Sequence, residues 1–234
     1  MVKIMSMRPP QRNLSIDLFR SLGIVLMVIF HFCYDLKHFG YNQWDISNGL
    51  FWIRFRAIIV TLFLGCVGVG LAVAHGRGIR RRPFFRRLGK LTLAAAAVTT
   101  MSLVMFPEEW IYFGVLHFIA LVSLVSLPLA GRPRLAGLLG VGIVLLYHLG
   151  FPKYGWPFGY IAKWLPEFTN DLVSPSPWLG VVWIGIAVGH SSWLRKDPLR
   201  VMPGAARFGA AGRHSLLIYL VHQPLLFGLF RLLP

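Results

Sequence analysis

Seven apolar runs of roughly 17 to 25 residues, separated by short polar loops, fill most of this 234-residue chain. A run of that length matches the hydrocarbon thickness of a bilayer when it is helical. Lipid enforces the helix, because every backbone N–H and C=O must find its partner within the segment. The expected spans are 16–36, 50–74, 89–106, 111–130, 134–150, 177–193 and 214–232. Only 14% of the residues are charged, against about 25% in a soluble domain. The runs lack the short alternation of a membrane barrel, and no internal repeat is visible. The expected fold class is therefore all-α: a polytopic transmembrane helical bundle of about seven spans, forming a single membrane domain over 1–234.

The formal charge of +16 at first suggests a nucleic-acid partner, but its distribution argues against one. Basic residues fall in alternate segments. Lys3, Arg8 and Arg12 precede the first span. Arg77, Arg80, Arg81, Arg82, Arg86, Arg87 and Lys90 follow the second. Arg132 and Arg134 join the fourth and fifth, and Arg195, Lys196, Arg200, Arg207 and Arg213 lie before the seventh. The opposite loops carry Asp45, Glu108, Glu109, Glu167 and Asp171. This positive-inside pattern predicts a cytoplasmic N-terminus and a C-terminus outside. No cleavage signal follows the first run, so it reads as a retained span. The aromatic, Pro- and Gly-rich segment 151–176 reads as an interfacial cap on the outer side. Cys33 and Cys66 fall at different depths and are expected to be buried thiols without a disulfide. Gly65, Gly68 and Gly70 suit close helix packing, since no strand precedes them as a nucleotide loop would require.

Ionisable groups at bilayer depth are costly, and those that persist usually face the bundle interior. In the first span Arg20, Ile24, Met27, His31 and Asp35 recur at helical spacing and share one face. His31 and Asp35, at i and i+4, are placed to hydrogen-bond, the carboxylate fixing the tautomer of a general base. Arg20 lies about 16 Å from His31 along the axis at about 1.5 Å per residue, toward the cytoplasmic side, with Asp17 one turn away to neutralise it. Further polar groups expected in the outer half are Arg54, Arg56, His117 and His148, of which His117 is the most enclosed. In the last span His222 and Gln223 precede Pro224, which frees a backbone carbonyl and favours a cavity. Arg20, Arg56, His117, His222 and Gln223 are thus the candidate substrate-contacting residues around a catalytic His31 and Asp35. No metal-ligand spacing, Walker-type lysine motif or G-x-S-x-G turn occurs.

The stretch RNLSIDLFRSLGIVLMVIFHFCYDL resembles the first span of the bacterial heparan-α-glucosaminide N-acetyltransferase-like membrane proteins. The spacing Arg20-x10-His31 also resembles the signature of acyltransferase-3 integral membrane enzymes. GVLHFIAL at 114–121, PWLGVVWIGIAVG at 177–189 and GRHSLLIYLVHQPLL at 212–226 extend the likeness across most of the chain. The resemblance implies transfer of an acyl group, in the first instance acetyl, from cytoplasmic acetyl-CoA to a sugar hydroxyl or amine at the outer face of a bacterial cytoplasmic (inner) membrane. His31 would be the catalytic histidine and Arg20 a partner on the donor side. Larger lysosomal relatives carry asparagine where His31 stands, and their candidate histidine finds its nearest match in His38, so both histidines stand as candidates. A cationic cytoplasmic face suits the donor phosphates, with the adenine end expected near Arg80, Arg81 or Arg207. The implied partners are acyl-CoA, a carbohydrate or glycolipid acceptor and membrane lipids, with a homo-oligomer left open and neither metal nor haem expected. Direct transfer and an acyl-histidine intermediate are both open routes. The competing readings are a proton-coupled transporter or flippase using His31, Asp35 and Arg56, and a haem carrier ligated by His31 and His117.

Overall fold

A computed structural model describes residues 12–152, 155–167, 169 and 171–232; Lys3 and Arg8 of the basic tail lie outside the described residues. Among the described residues the chain forms α1 (Leu14–His38), α2 (Leu50–His75), α3 (Arg81–Met105), α4 (Val115–Val125), α5 (Pro133–His148) and α6 (Pro175–Gly189). The short helices α7 (Ser192–Arg195), α8 (Ala205–Phe208) and α9 (Ala210–Arg213) follow, and α10 (Ser215–Arg231) closes the chain. The sole extended pairing among them is a single bridge between Phe113 and Leu172. By length and composition α1, α2 and α3 can each cross a membrane. The other apolar helices, α4, α5, α6 and α10, are shorter, at 11 to 17 residues. The seven apolar helices fall on the seven expected segments.

The largest displacement is at α3, which begins at Arg81 rather than near residue 89. Arg81, Arg82, Arg86 and Arg87 therefore ride on the first turns of a helix instead of in a loop. Arginine is a good helix former, its long stem lets the charge reach water from a helix flank, and Pro83 sits in the first turn, where its missing N–H costs nothing. Pro224 does not interrupt α10, which continues to Arg231.

Successive apolar helices alternate in direction along the chain, so the packed pairs α2–α6 and α1–α10 run parallel. At one end the His190 Nε2–H donates to the Ala130 carbonyl over 2.7 Å, and the Arg80 N–H donates to His75 Nδ1 over 3.3 Å. These bonds gather the ends of α2 and α6 with the starts of α3 and α5. The basic segments collect there, and Asp45, Glu108, Glu109, Glu167 and Asp171 belong to the opposite end. Laterally the helices run in the order α5, α6, α2, α1, α10, with α4 against α2 and α3 against α4. Backbones touch along α2–α6 and α5–α6 because glycine lines both seams. A Cβ on Gly68 would overlap the Val182 carbonyl oxygen, and one on Gly180 would lie 2.6 Å from the Gly140 carbonyl oxygen. Cys33 and Cys66 are both free thiols; Cys66 is buried as expected, whereas Cys33 is only half-buried.

The start of α1 is held by a side chain 182 residues beyond Ser15 in sequence. Asp197, in the left-handed conformation at φ 50°, accepts from Leu14 N–H (3.0 Å), Ser15 N–H (2.8 Å) and Ser15 Oγ–H (2.7 Å). Arg200 donates to the same carboxylate and to the Arg12 carbonyl, while Asn13 supplies the local N-cap to Ile16. Burial alone would raise the Asp197 carboxyl, but the bonds from Ser15 and Leu14 and the charge of Arg200 hold it below its ordinary value. A carboxyl lowered by folding stabilises the fold above its unfolded value and loses that contribution as pH falls through the folded one. Asp197→Ala should destabilise the protein by about 0.5–2 kcal/mol at neutral pH, the usual worth of a cap. The gap from wild type should close in acid, as followed by thermal unfolding in detergent. A gap independent of pH would contradict the assignment.

Candidate functional site

The polar face of α1 meets that of α10 in mid-bundle. His31 Nδ1 lies 2.9 Å from the Met27 carbonyl oxygen, and His222 Nδ1 lies 2.8 Å from the Tyr219 carbonyl oxygen. A carbonyl can only accept, so both imidazoles carry their proton on Nδ1 and present a lone pair on Nε2. The two rings meet edge to face with centroids 4.7 Å apart. His222 Nε2 is buried without a partner among the described residues.

Asp35 does not bond to His31 as the i, i+4 spacing predicts. Its Oδ1 accepts from Gln223 Nε2 over 2.8 Å. The reason is local: a backbone carbonyl one turn back captures the His31 donor, and α10 offers Asp35 an amide at the same height. Asp35 Oδ2 and Gln223 Oε1 are left buried and unpartnered. Three enclosed acceptors, with His31 Nε2 beside them, therefore share one neighbourhood without matching donors. A buried acceptor left unpaired costs about 1–3 kcal/mol, so the cluster favours a donor-rich guest.

A cavity of about 220 Å³ lies between α1, α2, α3, α4 and α10; His31, Asp35, His222 and Gln223 do not line it, and its link to them is Tyr219, one turn before His222. Arg20, Arg87, Lys90 and Ser215 lie toward the basic end, Phe63, Cys66, Leu91, Leu116 and Ile119 form apolar walls, and Val115 and Tyr219 also line it. Tyr219 joins cavity and histidine pair, since its carbonyl holds His222 and its ring lies 5.9 Å from that imidazole. Among the described residues no carboxylate pairs with Arg87 or Lys90. Asp17 is engaged by Arg12 through two hydrogen bonds and lies 3.8 Å from Arg20, so it does not neutralise Arg20 alone. Ligand sites commonly span about 300–1,000 Å³, so a shaft this small suits a thin chain whose charged head stays at the mouth.

The remaining expected residues are distributed differently. Arg80 and Arg81 at the start of α3 and Arg207 in α8 are exposed and do not line the cavity. Arg87 and Lys90, further along α3, take that place. His117 is occupied structurally: Gly114 N–H donates to its Nδ1, and its Nε2 meets Thr99 Oγ, which itself donates to the Ile111 carbonyl. With both nitrogens engaged in the α3–α4 connection, His117 offers neither a substrate contact nor the haem ligation weighed above. His38 sits among Phe39, Phe106 and Phe227. Arg56 acts on Asp171 rather than on His31. Among the described residues no group of three or more His, Cys, Asp or Glu side chains gathers to hold a metal ion.

Tyr219, Arg87, Lys90 and Asp171 were not singled out as site residues from the sequence. Tyr219, His222 and Gln223 do follow the i, i+3, i+4 spacing of one helix face, a signal that was present. Asp171 belongs to the outer segment but reaches into the bundle, where its Oδ2 accepts from Val115 N–H over 2.9 Å at the first turn of α4. Thr169, bonded to the Trp110 carbonyl, and Val173, bonded to the Phe113 carbonyl, fix the segment there. Burial pushes the Asp171 carboxyl up to about 6, against the Val115 hydrogen bond and the charge of Arg56. A carboxyl raised by folding favours the folded state at low pH and removes that benefit as pH climbs from 3.8 toward about 6. Wild type should therefore lose thermal stability across that window relative to Asp171→Asn, which keeps the acceptor oxygen for Val115. Parallel profiles for the two proteins would contradict this.

A sequence-family model described as heparan-alpha-glucosaminide N-acetyltransferase, catalytic, matches residues 12–224, which take in α1 through most of α10 and every residue of the cluster and cavity. No curated protein and no solved structure gives a match. With three helices long and apolar enough to cross a membrane, a polar cluster in the bundle and a family match over nearly its whole length, the chain belongs to the heparan-α-glucosaminide N-acetyltransferase catalytic family and is an integral membrane protein of acetyltransferase type.

Proposed function

We propose that this protein moves an acyl group, in the first instance acetyl, from cytoplasmic acyl-CoA to an amine or hydroxyl acceptor entering from the opposite face of the membrane. In this reading all seven apolar helices cross the bilayer, the basic end faces the cytoplasm of a bacterial cell, and the C-terminus lies outside. The observation that carries the proposal is the cavity from Arg20, Arg87 and Lys90 to Tyr219, the residue whose carbonyl holds His222 against His31. Phosphates and a narrow, neutral pantetheine arm fit that shape and charge: an anionic head at the cationic mouth and an uncharged chain along apolar walls.

The chemistry follows from the free lone pairs. An acceptor N–H or O–H directed at His31 Nε2 hydrogen-bonds to it, and the imidazole takes the proton as the nucleophile attacks the thioester carbonyl. His222, with its own lone pair free, is placed to share that proton. Asp35, bonded to Gln223, acts on the imidazolium through its field and on the acceptor through its free oxygen. A polyhydroxylated amino sugar supplies the donors that this acceptor-rich cluster lacks, which favours a carbohydrate acceptor over an apolar alcohol.

The test uses purified protein in nanodiscs with acetyl-CoA and an amino sugar, following thiol release and acetylated product. His31→Ala should lower turnover by about 10²–10⁴-fold, the usual worth of a general base, at unchanged thermal stability. In a Cys33→Ser background, coenzyme A should protect Cys66 on the cavity wall from maleimide alkylation. Full turnover in the His31 variant would remove that residue from the mechanism. Acceptor uptake into proteoliposomes without any acyl donor would favour a transporter instead.

A further inference from the structure

Tyr219 stands where the cavity and the histidine pair share a wall, and its hydroxyl has no role in holding the fold. The ring packs against both large hydrophobic clusters, the one around α2, α4 and α6 and the one between α1 and α2. The side chain is thereby fixed from both sides. Its hydroxyl makes no hydrogen bond among the described residues, yet it is not among the polar atoms sealed inside the protein without a partner. The hydroxyl therefore keeps accessible surface, and the residue that carries it lines the cavity. A tyrosine retained only for packing gains nothing from a hydroxyl in that position, because phenylalanine fills the same space without a polar atom to satisfy.

Resting on the acyl-transfer reading above, we propose that the Tyr219 hydroxyl is a catalytic hydrogen-bond donor to the thioester carbonyl oxygen of the acyl donor. The cavity brings the donor arm past Tyr219, and the neighbouring imidazoles deliver the acceptor from the other side of the same residue. In the step itself, the acceptor lone pair forms the new bond to the carbonyl carbon. The C=O π pair moves onto oxygen, where the Tyr219 O–H meets it, and the acceptor proton passes to His31 Nε2. Collapse restores the C=O bond and breaks C–S, and the departing thiolate takes up the proton held by His31, leaving coenzyme A as the thiol and the neutral imidazole. The local charges permit a transient oxyanion. Asp171 acts on Tyr219 electrostatically, but Arg56 faces that carboxylate, and Arg20, Arg87 and Lys90 share the cavity. A donor held rigidly at the site of developing charge acts mainly on the transition state.

The test is Tyr219→Phe in the full-length protein, which keeps the ring and its packing. Loss of one such donor lowers kcat by about 10²-fold, with KM for acetyl-CoA changed by no more than about 3-fold and with Cys66 still protected by coenzyme A. A second readout is the infrared band of carbonyl-¹³C acetyl-CoA bound to the His31→Ala background, where turnover is blocked. The band should lie at lower frequency with Tyr219 than with phenylalanine at that position. Equal kcat, or equal carbonyl frequencies, overturns the role of Tyr219 while wild-type turnover leaves the acyl-transfer reading standing. A wild-type protein with no turnover from any acyl-CoA overturns both together.

Discussion

Two side-chain-to-backbone hydrogen bonds set the chemistry of this bundle. Each of the two central imidazoles gives its Nδ1 proton to a carbonyl of its own helix, Met27 for His31 and Tyr219 for His222. The bond fixes the ring orientation and forces the lone pair to the far nitrogen, inside a protein core where few competing donors exist. A carboxylate is not needed to select the tautomer, and Asp35 is accordingly bonded elsewhere, to Gln223 on α10. The acceptor-rich centre that results is costly in isolation, which is the expected signature of a site shaped for a ligand rather than for stability.

The surrounding architecture divides between a rigid side and a looser one. Along α5, α6 and α2, glycines let backbones meet directly, and shape complementarity replaces the hydrophobic drive that lipid does not supply between helices. Across the bundle, α3 is packed chiefly through α4, and the cavity opens where α3 faces α1 and α10. Arg87 and Lys90 sit on that loosely packed helix, so the charge that would recognise an anionic head lies beside the entry to the shaft. The clasp of Asp197 on the first turn of α1 holds the neighbouring basic segments against the same end.

The sequence makes the helices legible because lipid leaves an apolar run of membrane length no alternative, and the observed boundaries fall within a few residues of the expected ones except at α3 and at α4, which spans Val115–Val125 where 111–130 is expected. The exception at α3 has a physical cause: charge distribution marks topology, and an arginine-rich segment looks the same to that rule in a loop or on a helix flank. His31 meets His222, and Gln223 meets Asp35, as polar residues on facing helices should. The partner of Asp35 was not legible, since i, i+4 spacing gives proximity but not the competition from Met27 and Gln223. Nor was Asp171, because nothing local says that a carboxylate in an aromatic outer segment folds inward onto the start of α4.

The central claim is that one continuous path joins the cationic mouth to the paired imidazoles. It is tested most directly by an experimental structure of the protein in a lipid nanodisc with a non-hydrolysable thioether analogue of acetyl-CoA. The expected density places the phosphates against Arg20, Arg87 and Lys90 and the carbonyl beside Tyr219, with His31 Nε2 open to the acceptor side. An analogue held on the exposed Arg80 or Arg207 surface, with its arm outside the bundle, would contradict the account.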